Sequence, residues 1–459
     1  MRVLLLNPPG ARIYIRDYFC SKTTKSNYLF HPIDLVMLSG TVAAQHEVAV
    51  LDAIAERLPV EAANARIDAF APEAIVSLVG SVSWREDRAF LAAQAARGRR
   101  VIAIGDVLHE KAEARLAEEP WLEAALGNFV GADVLEILER RYEAVLDSVV
   151  RREDGSIEVR STGGKLRGDY ALPRPRHELF PARGYHFSFA RSEPFATLLT
   201  DWGCPFPCTF CVMSTLGYAS RPIPDVLEEV DELRARGVRE LFVMDQTFGV
   251  RKARGLELCE EWAKRGDLSW TTYARPDHAD DELFAAMKRA GCHTVMMGVE
   301  SADPKVLAGY EKRYDVGDVR EGFARAKRHG LRTVGTFIIG LPEETEDSIR
   351  RSLDLALELE LDFMSLNMAV PRFGTPFRRR AVELGLVDEN DLVMDQGGAD
   401  AKLPTQALDR GTMLALKKRM VRRFYLRPSY LWRRVKSASS LYELRAQARE
   451  GLALLFRNV

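Results

Sequence analysis

Three of the six cysteines lie within eight residues, in the run Asp201-Trp202-Gly203-Cys204-Pro205-Phe206-Pro207-Cys208-Thr209-Phe210-Cys211. Thiolate sulfur is a soft ligand that suits iron–sulfur clusters and zinc. Cysteines separated by three and then two residues can wrap one cubane. A [4Fe–4S] cluster held by protein alone takes four thiolates. Cys204, Cys208 and Cys211 supply three, which leaves one iron open to a substrate or cofactor. A structural zinc would want a fourth closing ligand, usually from a second pair. His186 upstream and Cys259 far downstream form no such pair. Cys20, Cys259 and Cys292 stand alone and read as small core residues. A disulfide framework belongs to short secreted chains.

The elements that must position this loop follow from periodicity. Residues 1–145 predict an open α/β domain, with strands at 3–7, 48–52, 74–79 and 101–104 and helices at 33–45, 87–96 and 110–119. Strands alternating with helices imply a parallel sheet covered on both faces. Ligands of such sheets sit beyond the carboxyl ends of the strands, here 7–10, 80–83 and 105–106. Residues 146–190 read as a connector: a hairpin over 149–160 turning at Asp154-Gly155, then an extended, irregular stretch. Residues 191–385 hold six strand–helix units, with strands at 196–200, 241–244, 270–274, 294–299, 333–339 and 363–369. Gly237, Gly266, Gly291 and Gly330 fall where the helices between them should stop. Six units predict a partial (β/α)6 barrel with its chemistry at the carboxyl ends of the strands.

Residues 386–459 read as a helical tail. Lys417, Arg422, Arg427, Arg434 and other basic residues alternate there with Phe424, Tyr425, Tyr430 and Trp432. The plain reading is a solvated basic face opposite an apolar face docked on the barrel. The sharper one is contact with a membrane surface or an anionic substrate. Over the 459 residues, 65 Lys and Arg balance 66 Asp and Glu, a net charge of −1. That argues against a general nucleic-acid binder. No stretch approaches the about 18–20 apolar residues of a membrane span, and the apolar start before Asn7-Pro8-Pro9 is too short for a signal-peptide core. A cytoplasmic protein is expected, with peripheral contact to the inner membrane face through the tail as the variant of that expectation.

The cysteine loop resembles the CxxxCxxC signature of the radical S-adenosylmethionine (SAM) superfamily, with an aromatic before the last cysteine. The resemblance covers roughly 195–385. It implies that SAM chelates the open iron and that one electron from the cluster cleaves it to methionine and a 5′-deoxyadenosyl radical. The protein then orients the cofactors and excludes water. By the same resemblance Phe210 packs near the adenine. Glu300 and Ser301 end the strand that meets the ribose and methionine moieties. Arg275 pairs with the SAM carboxylate, Gly340 lies beside the adenine, and Asp245 at the second strand end is a SAM-contact candidate. An electron donor such as flavodoxin or ferredoxin is implied.

An α/β domain placed before such a barrel resembles the cobalamin-dependent class of this superfamily. Asn7-Pro8-Pro9, segment 46–52, Leu172-Pro173-Arg174-Pro175-Arg176 and Phe424-Tyr425-Leu426-Arg427-Pro428 carry that likeness. The first domain is then Rossmann-like and of the cobalamin-binding type. The D-x-H-x-x-G cobalamin motif is absent, since Asp106 and His109 have the wrong spacing. The GxGxxG dinucleotide fingerprint is absent too. The leading expectation is cobalamin-dependent methylation of an unactivated carbon. The runner-up is an oxidative cyclase or ring rearrangement on a tetrapyrrole or lipid. The third is a non-catalytic zinc or iron–sulfur protein.

Overall fold

The structure is a computed structural model and describes residues 1–161, 165–392, 395–397, 403–438 and 441–458. The first sheet has seven strands in the order Glu47–Asp52, Arg2–Asn7, Ala74–Leu78, Arg100–Ile104, Ala124–Leu126, Asp147–Arg151, Ile157–Ser161. The first five are parallel and the last two antiparallel. The parallel order, 2-1-3-4-5 in chain sequence, is the flavodoxin-like doubly wound arrangement. Its switch point lies between the strands Arg2–Asn7 and Ala74–Leu78.

Successive side chains of a strand point to opposite faces. Val3 and Leu5 enter the core beneath helix Ile33–Ala43, while Leu4 and Leu6 enter the one beneath Val60–Phe70 and Trp84–Ala95. Both faces are therefore buried, which explains why these strands read as unbroken apolar runs. The hairpin expected in the connector extends the first sheet. The stretch after it is not wholly irregular, because Leu166–Asp169 pairs in parallel with Gly217–Ser220.

The second sheet has six strands: Phe195–Leu198, Glu240–Val243, Ser269–Ala274, Cys292–Glu300, Arg332–Ile339 and Phe363–Met368. Each is parallel to the next in sequence, so this is an open partial barrel. Helices on its outer side begin at side-chain caps such as Asp280, Asp315 and Thr345. The four glycines expected to stop helices all take positive φ. Aromatic contacts place segment 187–189 across the gap between the first and last strands: Phe187 to Phe195 at 6.0 Å and Phe189 to Phe363 at 5.1 Å between ring centroids.

The tail forms helices Arg410–Tyr425, Pro428–Ser437 and Leu441–Asn458; parts of the 386–459 region lie outside the described residues. Met413, Met420, Phe424 and Tyr430 complete the barrel core. The basic residues are not all on a solvated face, because Lys417 and Arg434 are buried. Among the described residues, no helix is long and apolar enough to cross a membrane.

Candidate active site

The first barrel strand delivers the chain into the cysteine loop, and the loop is stapled at its base. Asp201–Gly203 pairs antiparallel with Gly217–Ser220, and Cys204 N donates to Gly217 O at 3.0 Å. Gly203 sits at φ +69°, and a Cβ there would meet Gly217 O at 2.1 Å. Only glycine closes this neck without strain. Within the loop Cys211 N donates to Cys208 O at 3.1 Å. Two other strand exits grip the loop from outside: Thr209 N donates to Tyr310 O, and Phe377 N donates to Thr209 O.

Cys208 is buried, while Cys204 and Cys211 are half-buried. Burial pushes the Cys211 thiol up to about 12, and the neighbouring Cys204 and Cys208 act in the same direction. Burial raises the Cys204 thiol as well. Iron loading would have to displace these protons, as metal binding to thiols does. Among the described residues, no three His, Cys, Asp or Glu side chains are grouped to hold a single metal ion. The donor set fits a cubane, which spreads its thiolates over separate irons.

Around the loop stand three charged groups. Arg275 ends the third barrel strand. Its guanidinium lies 3.8 Å from the Phe206 ring centroid and its Nη1 is 3.8 Å from Cys208 Sγ. It pairs with Asp277 at 2.9 Å and donates to Lys312 O at 3.0 Å. Glu300 ends the fourth strand just past a register shift. Its φ of +61° is a costly conformation for a non-glycine residue. Lys312 Nζ donates to Glu300 Oε1 at 2.7 Å and lies 5.4 Å from the Phe210 ring centroid. Burial alone would lower the Lys312 ammonium, but Glu300, Tyr314 and Cys208 hold it well above the usual lysine range. At the fifth strand exit Glu344 accepts from Gly340 N at 2.8 Å and Leu341 N at 3.2 Å. Burial pushes its carboxyl up to about 8.

A cavity of about 720 Å³ opens from Phe210, Cys211 and Glu300 through the barrel interior toward the tail helices. Of the site residues expected from sequence, Phe210, Glu300 and Cys211 line it. Asp245, Arg275, Ser301 and Gly340 do not. Asp245 is turned into the barrel wall, where it accepts from Thr200 N at 2.7 Å, Asp201 N at 3.0 Å and the Thr200 hydroxyl. Ser301 is buried beside Glu344 at 3.5 Å. Asp245 thus clasps the base of the cysteine loop. Thr336, Ile338 and Leu341 line the cavity in place of Gly340. Lys312 and Glu344 were not found from sequence. Lys312 has no periodic signal, and Glu344 would have been found as the acid four residues beyond Gly340.

The strand exits of the first sheet are packed by the chain's own segment 14–24. Buried Arg16 donates to Asn7 Oδ1 at 2.9 Å and Pro8 O at 2.8 Å and pairs with Asp87 at 2.7 Å. The Tyr18 hydroxyl donates to Gly127 O, and its ring lies 4.2 Å from His109 and 5.6 Å from Trp202. Ser21 donates to Asp106 Oδ2 at 2.8 Å.

A partial barrel carrying a three-thiol loop at its first strand exit is the architecture of radical SAM enzymes, and residues 203–356 match the Radical SAM superfamily. The chain thus carries a radical SAM domain over about a third of its length. It is 28% identical over 418 residues to an uncharacterized methyltransferase, PH0819, of Pyrococcus horikoshii, covering 87% of this chain and 89% of that one. It shares its fold with the radical SAM methyltransferase TsrM of Kitasatospora setae, solved with cobalamin and a [4Fe–4S] cluster. That match has a TM-score of 0.67 and 20% identity, over 83% of this chain and 75% of TsrM. It also shares its fold with the cobalamin-dependent radical enzyme OxsB, solved with aqua-cobalamin and SAM. There the TM-score is 0.68 with 14% identity, over the whole of this chain and 71% of OxsB.

A cluster fits the three thiols. Beyond the strand ends of the first sheet, Arg16 packs on Asn7, Tyr18 on Gly127 and Ser21 on Asp106.

Proposed function

We propose that this chain is a SAM-cleaving methyltransferase acting on an unactivated carbon of a molecule held in the barrel cavity. One observation carries the reading: the third thiol of the cysteine loop and the strained Glu300 open together onto that cavity. A cluster bound there would supply the electron that cleaves SAM. The chain's own residues do the rest. Phe210 offers a flat apolar face for a purine. Glu300 offers acceptors for ribose hydroxyls or an ammonium, and Lys312 neutralises it in the meantime. The apolar walls keep water from the reacting carbon. Methylation is favoured over cyclisation by the match to a methyltransferase along nearly the whole chain.

Cobalamin is the methyl carrier we propose, on the strength of TsrM and OxsB and of the doubly wound sheet beside the barrel. The test is anaerobic incubation of iron- and sulfide-reconstituted protein with SAM, dithionite and hydroxocobalamin. The expected result is a corrin spectrum that survives desalting, with S-adenosylhomocysteine formed only when hydroxocobalamin is present. Formation of 5′-deoxyadenosine without S-adenosylhomocysteine would overturn methylation. A corrin-free protein that still forms both would overturn the carrier.

A further inference from the structure

Beyond the cluster, the cavity has two unlike ends. One end gathers four cationic side chains from three parts of the chain: Lys22 and Lys25 from the segment after the first strand, Arg372 from the exit of the last barrel strand, and Lys417 from the first tail helix. These groups are held in place. Lys25 Nζ donates to Asn367 Oδ1 at 2.7 Å and to Ser365 Oγ at 3.0 Å. Arg372 Nη2 donates to Gln396 Oε1 at 2.8 Å. Lys417 Nζ donates to Gly397 O at 3.4 Å and is 4% exposed. Among the described residues, Asp17 and Asp395 are carboxylates that face the group.

The other end is a rim on the tail helices. Leu431, Val435 and Leu452 line the cavity there and are 50%, 55% and 56% exposed. Between the two ends the wall is aromatic and thioether, with Phe189, Phe363, Met364 and Tyr425 among it.

We propose that this cavity binds an elongated apolar molecule bearing a carboxylate or phosphate, with the anionic group on Lys22, Lys25, Arg372 and Lys417 and the apolar body directed toward the tail-helix rim. The proposal names the substrate class of the methyltransferase reading and rests on it for the reaction, though not for the binding. Burial lowers the Lys25 ammonium well below the ordinary lysine range, and Lys417 and Lys22 push it the same way. An anion in their midst reverses that push. Charge-assisted hydrogen bonds to a carboxylate or phosphate are the stronger kind. The exposed apolar rim is the costly feature a soluble surface avoids unless something covers it.

The test is equilibrium dialysis of the cluster-reconstituted full chain against pyrene-1-butyrate and its neutral amide, which differ in charge and little in shape. The carboxylate is expected to bind at least about tenfold more tightly than the amide. Lys25→Met and Lys417→Met should each remove most of that preference while leaving the affinity for the amide unchanged. Equal binding of the two probes, or a preference that both variants retain, overturns the proposal. Competition separates the sources of the anion. Displacement of the carboxylate by saturating SAM would assign the cations to the SAM carboxylate. Displacement by hydroxocobalamin would assign them to the corrinoid phosphate. Either result would overturn the substrate assignment. Absence of 5′-deoxyadenosine from the wild type would remove the methyltransferase reading and leave the binding result standing.

Discussion

Arg275 and Glu344 are the two residues whose environments make the sharpest single-site predictions. The Arg275 guanidinium sits against Cys208 Sγ, so it stabilises negative charge on that sulfur. Arg275→Met should still load iron, but the potential of the cluster should fall, because the reduced form loses a nearby cation. A potentiometric titration followed by electron paramagnetic resonance reads this directly; an unchanged potential would contradict it. Glu344 is buried, and its carboxyl is lifted from 4.5 to about 8. Between those values the native state binds more protons than the unfolded one, so this group's stabilisation is full below about pH 4.5 and is lost as pH rises to about 8. Melting of the wild type should therefore weaken relative to Glu344→Gln across that window and run parallel to it above. Equal slopes would show that Glu344 ionises freely in the fold. The cysteines were legible because thiol spacing is a local property of the chain. Asp245 rests on standing at a strand end, and Ser301 and Gly340 on the family resemblance; neither tells a side chain facing the cavity from one turned into the wall. Lys312 was missed because it lies on a loop after helix Pro304–Gly309, where no period points inward.

The base of the cysteine loop depends on one carboxylate from the next strand. Asp245 accepts from Thr200 N, Asp201 N and the Thr200 hydroxyl. Asp245→Ala strands three buried donors, each costing about 1–3 kcal/mol, so a loss of about 3 kcal/mol or more is expected. Iron bound per chain after reconstitution should fall with it. Asp245→Asn keeps an acceptor and should lose less on both measures; wild-type iron content in Asp245→Ala would contradict this role. Most elements could be read from the sequence, because their helices carry apolar stripes and their strands apolar runs. Two could not. Ala124–Leu126 is only three residues long. Leu166–Asp169 exists because it pairs with Gly217–Ser220 about fifty residues onward, a tertiary partner that local pattern cannot reveal.

At the scale of the molecule, the flavodoxin-like sheet and the barrel share one continuous core through segment 14–30, and that segment fills the place where a doubly wound sheet holds its ligand. If cobalamin binds there, amide hydrogen exchange at Tyr14, Arg16, Tyr18 and Ser21 should rise when hydroxocobalamin is added, as the segment gives up its contacts. Binding with unchanged protection would locate the corrinoid elsewhere. The sequence showed a sheet before a barrel. It could not show that Arg16 and Tyr18 fold back onto the strand exits, since nothing in a Tyr-Ile-Arg-Asp-Tyr run announces which cavity it fills.

The most direct measurement of the central claim is the yield of 5′-deoxyadenosine from SAM under dithionite, with wild-type protein and with Cys204→Ala, Cys208→Ala and Cys211→Ala, each reconstituted anaerobically with iron and sulfide. The account predicts 5′-deoxyadenosine from the wild type and none above background from any variant. Cleavage retained in any one of the three, or absent from an iron-loaded wild type, would contradict it.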